Sequence, residues 1–351
     1  MNANALLKAT NDADARHAYY ERIARDNLTP LWEVLHALVP AAPTPSIVPA
    51  LWRYAALRET LLESGELISA MEAERRVLIL ENPGARGLSR ITQSLYAGFQ
   101  LILPGEVAPA HRHSQSALRL VLEGEGAYTA VDGERTTMRR GDFIITPSMT
   151  WHDHGNPGDE PVVWLDGLDI PLVQFLDAGF AEKSTAVSQT TTRPEGCALS
   201  SYGHNMVPID FYQSSAEPTR VFVYPYRQTR DALMGLDSMP ADPWHGHAFR
   251  YVNPATGASP MPTIGAFARR LKAGTETRPY RSSDSTVFVC LEGAGRAAVG
   301  DSAFDFGERD VLVVPSWTTH QFRVSEDTIL FSFSDRPVQQ VLGLWREDKL
   351  S

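Results

Sequence analysis

Cysteine is nearly missing from this chain: 351 residues contain two, Cys197 and Cys290. A disulfide framework is therefore unexpected, and a reducing compartment fits, so the expected location is the cytoplasm. Long apolar runs are missing too. No stretch approaches the roughly 20 residues a helix needs to span a bilayer. The segment Met1 to Asp14 is polar and lacks the apolar core of an export signal. Positive charge is in deficit, with 32 Lys and Arg against 42 Asp and Glu, a net charge of -10 and a pI near 5.5. That balance argues against nucleic acid or an anionic membrane as the main partner.

What is present is enough apolar residue, 43% of the chain, for a large core or two domains. Residues 1 to about 11 are expected to be disordered or weakly anchored. Helices are expected over Asp12–Asp26 and Leu31–Leu38, then a proline-rich connector Pro40–Pro49, then a helix Trp52–Ser64 stopped by Gly65. Residues 1–74 thus read as an N-terminal helical segment. From Arg75 the pattern changes to short strands with frequent turns. They are expected over Arg76–Leu80, Leu95–Leu103, Leu118–Leu122, Ala127–Val131, Arg135–Met138, Phe143–Thr146 and Val162–Leu165. Asp132-Gly133 is a two-residue hairpin signal. Such a run of strands predicts an antiparallel barrel or jelly roll.

The chemistry-bearing residues lie within that run. His111 and His113 are two apart, so a strand aims both imidazoles to one side, and His152, at the end of a later strand, can supply a third. Three imidazoles suit Zn, Cu, Fe or Ni.

Residues 178–257 are the least legible, with one helix-like patch over Thr229–Leu236, and read as an inter-domain connection. The pattern then recurs. Leu122-Glu-Gly-Glu-Gly126 returns as Leu291-Glu-Gly-Ala-Gly295, and Asp142 to His152 returns as Asp310 to His320, at offsets of 169 and 168. An internal duplication follows, with one barrel over 75–177 and a second over 258–345.

The residues now reach a family. Gly105, His111, His113, Gly124, Gly141, Pro147, His152 and Asn156 fall at the spacing of the cupin signature, with Ala117 in place of its Glu and Met149 in place of a Gly. The wording around them is narrower: His111-Arg-His-Ser-Gln-Ser-Ala-Leu-Arg119, Trp151-His-Asp-His154-Gly-Asn156, Trp164-Leu-Asp166 and Tyr251-Val-Asn-Pro-Ala-Thr-Gly257. From about Tyr19 to Trp345 the chain resembles the gentisate/salicylate 1,2-dioxygenases. The resemblance implies an all-β core of two cupin domains, Fe(II) held by His111, His113 and His152, and O2 as co-substrate. The implied substrate is a small aromatic acid, opened between its carboxyl-bearing and hydroxyl-bearing carbons, most simply gentisate to maleylpyruvate. It also implies a homotetramer or other homo-oligomer.

Losing the acidic ligand has a consequence of its own. With Ala117, three neutral ligands leave a divalent ion its full +2 charge, which a 2-hydroxybenzoate can cancel through carboxylate and phenolate. Arg119 suits a substrate carboxylate as a planar fork, or it faces outward as an ordinary strand arginine; Arg75 carries the same two readings. By resemblance, Gln100 lies in the pocket and His154 contacts substrate or shuttles a proton. Asp166 either orients a neighbour by accepting a hydrogen bond or serves a turn. Met149 is expected near the substrate, at a position where Trp317 matches it in the second repeat and the resemblance implies a tryptophan. That repeat has Tyr280, Ser282 and Thr286 opposite His111, His113 and Ala117, and keeps only His320, so it is expected to hold no metal. His245-Gly-His247 is too far upstream to replace those ligands. Two other functions remain open at this stage: a non-oxidative cupin enzyme using Zn or Mn, and a small-ligand-binding or storage protein without catalysis.

Overall fold

The structure is a computed structural model that describes residues 3–204 and 221–351. The chain forms two units, residues 1–44 and 45–351. The first contains the helices Ala3–Arg25 and Leu31–Leu38. Its first helix starts well before Asp12, within the stretch expected to be disordered or weakly anchored, because Ala3-Asn-Ala-Leu-Leu-Lys-Ala9 is rich in strong helix formers. The indole N–H of Trp32 donates to the Tyr20 hydroxyl at 2.8 Å, and that hydroxyl donates to Glu33 at 2.5 Å, tying the two helices together.

The second unit is built from two barrels of alike plan, each made of a six-stranded and a five-stranded sheet. In the first barrel the six-stranded sheet runs Val223–Tyr224, Phe143–Thr146, Ala117–Glu123, Val162–Leu168, Tyr96–Ile102, Val77–Ile79. Its five-stranded partner runs Ala181–Lys183, Val107–His113, His152–Gly155, Tyr128–Val131, Glu134–Thr137. The second barrel matches this order strand for strand, with Ala50–Trp52, Val311–Val314, Thr286–Glu292, Thr328–Ser334, Gly265–Leu271 and His247–Arg250 in the larger sheet. All the pairings between named strands are antiparallel.

One apolar cluster is shared by both barrels. Phe99, Leu101, Leu118, Leu120, Phe143 and Leu165 of the first pack with Val287, Val289, Val311, Phe331 and Phe333 of the second. The larger sheets therefore meet face to face, with Phe143 and Phe331 ring centroids 5.3 Å apart. Because a strand alternates its faces, this decides what lies inside. Leu118, Leu120 and Leu122 face the other barrel. Arg119 and Val121 face inward, Val121 joining the smaller cluster of Ile102, Ile144 and Trp164.

The first strand of each repeat crosses over. Ala50–Trp52 pairs with Val311–Val313 of the second barrel, and Val223–Tyr224, from within the supposed connection, pairs with Phe143–Ile144 of the first. A helix follows each crossing strand, Tyr54–Leu67 and Tyr226–Gly235. The Tyr54 backbone N–H donates to Asp310 while its hydroxyl donates to Glu123; the Tyr226 backbone N–H donates to Asp142 while its hydroxyl donates to Glu292, all at 2.7–2.9 Å. Gly65 does not stop the first of these helices, which continues to Leu67. A Cβ there would come within 3.0 Å of Leu103, so the glycine serves close packing onto the sheet.

Candidate metal centre and active site

Three histidines converge inside the first barrel. His111 lies directly across from His152 on the neighbouring strand, with ring centroids 4.2 Å apart. His113, two residues on, joins them, and one nitrogen from each of the three lies within 4.8 Å of the others. His152 opens the strand His152–Gly155 rather than ending one. Each Nδ1 faces a main-chain carbonyl: Pro109 at 3.3 Å, Gln115 at 2.8 Å and Thr150 at 2.9 Å. For His113 and His152 an Nδ1–H donated to the carbonyl leaves the Nε2 lone pair free to bind a metal, whereas His111 Nδ1 also meets the guanidinium of Arg75, which can only donate. His152 Nε2 is buried with no hydrogen-bond partner, as an unused ligand atom would be.

Burial also fixes the charge state. Desolvation, reinforced by the nearby Arg75 and Arg119 guanidinium groups, pushes His111 down to about 3 and His113 to about 4. His152 is pushed well below the ordinary histidine range for the same first reason. All three are neutral at pH 7, the form a metal requires. No carboxylate belongs to the group.

The other expected site residues divide. Arg119, Asp166, Gln100 and His154 are all buried inside the barrel. Arg119 faces inward, not outward. Its Nη1 donates to the Thr146 hydroxyl at 2.6 Å, its Nε lies 3.5 Å from Asp166, and that Nε lacks a hydrogen bond. Asp166 also accepts from the Trp164 indole at 2.9 Å, and burial raises it to about 6 despite the pull of Arg119. Gln100 sits across from Trp164. His154 has Nδ1 2.9 Å from the Thr129 hydroxyl, while its Nε2 is buried and unpartnered.

Arg75 lies at the rim. It donates to the Glu74 and Pro109 carbonyls at 2.7 and 2.6 Å and rests against His111 Nδ1. Together with His111, Met71 and Lys183 it lines a pocket of about 480 Å³. Met149 holds a left-handed backbone, φ 56°, where the cupin signature has glycine. Its N–H donates to the His113 carbonyl at 2.7 Å, and its sulfur is 4.0 Å from Ser114 Oγ. His247 is spent on the Met239 carbonyl at 3.0 Å, and among the described residues the triad is the only metal-ligating cluster.

Sequence reasoning missed Thr146, Thr129, Trp164 and Tyr96 as parts of this site. Thr129 stands directly across from His154. Tyr96 has its hydroxyl raised first by burial and then by the charge of Asp166. A polar residue inside an otherwise apolar strand is the signal that finds Thr129 and Thr146.

The cupin domain model matches residues 98–168 and 268–332, one stretch in each barrel. Gentisate 1,2-dioxygenase 1 of Aquipseudomonas alcaligenes is 51% identical over 335 residues, covering 95% of this chain and 96% of that protein. A 5-aminosalicylate 1,2-dioxygenase of a Comamonas species is 34% identical over 98% of this chain and 92% of its own. Among solved structures, salicylate 1,2-dioxygenase of Pseudoaminobacter salicylatoxidans, with gentisate bound, superimposes with a TM-score of 0.90 at 37% identity, covering 95% and 94% of the two chains. Among the described residues, no helix is long and apolar enough to cross a membrane. A doubled cupin fold with one intact histidine triad, and these relatives along nearly its whole length, put the chain in the gentisate 1,2-dioxygenase family of aromatic ring-cleaving oxidoreductases.

Proposed function

We propose that the chain is an Fe(II) enzyme that opens gentisate to maleylpyruvate, breaking the bond between the carboxyl-bearing and hydroxyl-bearing carbons and adding one atom of O2 to each. The observation that carries this reading is the all-neutral donor set. Three histidines without a carboxylate would leave a divalent ion its full charge, which favours a dianionic chelating substrate. When bound, iron supplies a redox centre that both the aromatic substrate and O2 can reach. The rest is the work of the chain. His111, His113 and His152 hold the ion, His113 and His152 through Nε2 with Nδ1 kept in register by a main-chain carbonyl. Arg119 receives the substrate carboxylate with the guanidinium donors that Thr146 and Asp166 do not occupy. Thr146 and Asp166 hold that guanidinium, and the Trp164 indole donates to Asp166. His154, fixed by Thr129, offers its free Nε2 as a proton acceptor. Arg75 and Gln100 complete the substrate contacts, and Met149 borders the ring.

This reading extends to a cytoplasmic homo-oligomer, supported by apolar side chains left open at Phe175 and Val341, 83% and 85% exposed. A salicylate with another 5-substituent, such as halogen or nitro, is the second reading, favoured by methionine at position 149. The test is anaerobic reconstitution with Fe(II), followed by oxygen uptake with gentisate, salicylate, 5-chlorosalicylate and 5-nitrosalicylate. Gentisate is expected to give the highest kcat/KM. A substituted salicylate turned over in its place would overturn the substrate, and activity with zinc alone would overturn the metal.

A further inference from the structure

The second barrel contains a cation whose buried donors meet no acceptor. Arg269 occupies the place of Gln100, one strand position from Arg270, and its side chain shares the face of Leu271 inside the barrel. Among the described residues no hydrogen bond or ion pair reaches its guanidinium, and its Nε and Nη1 are sealed from solvent. The rings of Phe288 and Phe322 lie 4.9 and 5.9 Å from its Cζ. The neighbouring arginines are treated differently. Arg270 pairs with Asp237 at 2.7 Å and Asp327 at 2.5 Å, and Arg336 with Asp284 at 3.3 Å.

Two histidines lie close enough to Arg269 to feel its charge. His245 lies 4.6 Å from the Tyr280 ring and His320 lies 5.5 Å from it, centroid to centroid. Both have a sealed Nδ1 without a hydrogen bond. Burial first, then the charge of Arg269, pushes each down to about 3, so both are neutral donors at pH 7. Burial lowers Arg269 only to about 10, so it stays a cation. The nearby carboxylates are already spent. Asp284 holds Arg336 and Trp345, and Asp242 accepts from the backbone of Trp244 and His245.

A buried charged donor left without an acceptor is costly. Arg336 and Asp284 cancel, and Asp242 balances Arg269 without touching it, so what the guanidinium lacks is an acceptor at its fork, which a small anion would supply. The planar fork of a guanidinium matches a carboxylate, and the flanking phenyl rings accept an apolar body. Arg269 and His245 each keep part of their surface exposed, which gives the anion a way in. We propose that the second barrel is a binding site for a small monocarboxylate, held by Arg269 with His245 and His320 donating beside it. The proposal is independent of the reaction in the first barrel.

The test is equilibrium dialysis of labelled benzoate, acetate and inorganic phosphate against the metal-loaded protein and its Arg269→Gln variant, which carries the residue the first barrel has at this place. Wild type is expected to bind one more carboxylate per chain than Arg269→Gln, while kcat/KM for gentisate stays within about twofold. Arg269→Lys, which keeps the charge and loses the fork, should weaken binding about tenfold. If Arg269→Gln does not fold, His245→Leu, at a partly exposed position, must lower the affinity about fivefold. Equal stoichiometry in wild type and Arg269→Gln up to about 10 mM carboxylate overturns the proposal. So does tighter binding of phosphate than of either carboxylate.

Discussion

Arg119→Lys separates charge from geometry inside the first barrel. The guanidinium reaches Thr146 with one nitrogen, at 2.6 Å, and approaches Asp166 with another, at 3.5 Å, leaving the remaining donors for a substrate carboxylate. A single ammonium cannot hold all three directions at once. Losing one hydrogen bond to a charged partner in a buried setting costs about 1.5–3 kcal/mol. At about 1.4 kcal/mol per factor of ten, kcat/KM for gentisate should fall roughly 10- to 150-fold. A second readout follows from Asp166, whose value of about 6 is set by burial working against the pull of Arg119. Arg119→Met removes that pull, so Asp166 must rise further and the acid limb of the pH–rate profile must move to higher pH. Arg119→Lys should leave that limb nearly in place. Oxygen uptake across pH 5–9 measures both. A lysine variant within about twofold of wild type, with unmoved acid limbs in both variants, refutes the clamp.

Ala substitution of His111, His113 or His152 should each abolish bound iron and activity, whereas His320→Ala should keep both; stoichiometric iron in the triple mutant refutes the site. His320 also sets a pH effect. Folded, it stays neutral down to about 3, while the unfolded imidazole takes a proton below about 6.5. Its contribution to stability is therefore whole above 6.5 and is lost as pH falls toward 3, at about 1.4 kcal/mol per pH unit. His320→Phe should flatten stability against pH by about one proton between pH 6.5 and 4.5, measured by denaturant melts, and an unchanged slope contradicts the burial argument. Met149→Trp installs the residue found at Trp317, whose backbone is alike, φ 57° against 56°. The ranking of gentisate, salicylate, 5-chlorosalicylate and 5-nitrosalicylate by kcat/KM is expected to change. An identical ranking removes Met149 from specificity.

The parts of this molecule that were readable in its sequence share a physical reason. The histidine triad is legible because a strand fixes the direction of residues two apart, and the barrels are legible because their turns repeat at a fixed offset. The inward direction of Arg119 was not legible. Its strand is apolar on both faces, since one packs on the second barrel and the other lines the site, so no alternation marks the inside. The crossing strands were missed because they are as short as two or three residues. Yet a trace of them was there. Tyr54, Arg58 and Leu61 recur as Tyr226, Arg230 and Leu233, with Arg58 on Glu123 and Arg230 on Glu292. This repeat lies in the stretches read as a helical lead and a connection, where no strand pattern invites comparison.

The reciprocal crossing of Ala50–Trp52 and Val223–Tyr224 bears on how such a protein can change over time. Each half completes the other half's sheet, so a deletion that trims away the metal-free half also strips an edge strand and the Asp142–Tyr226 anchor from the half that keeps the metal. The second barrel is thus free to lose ligands one substitution at a time, yet it cannot be discarded as a block. Drift of its interior toward a new use, rather than excision, is the course this architecture leaves open.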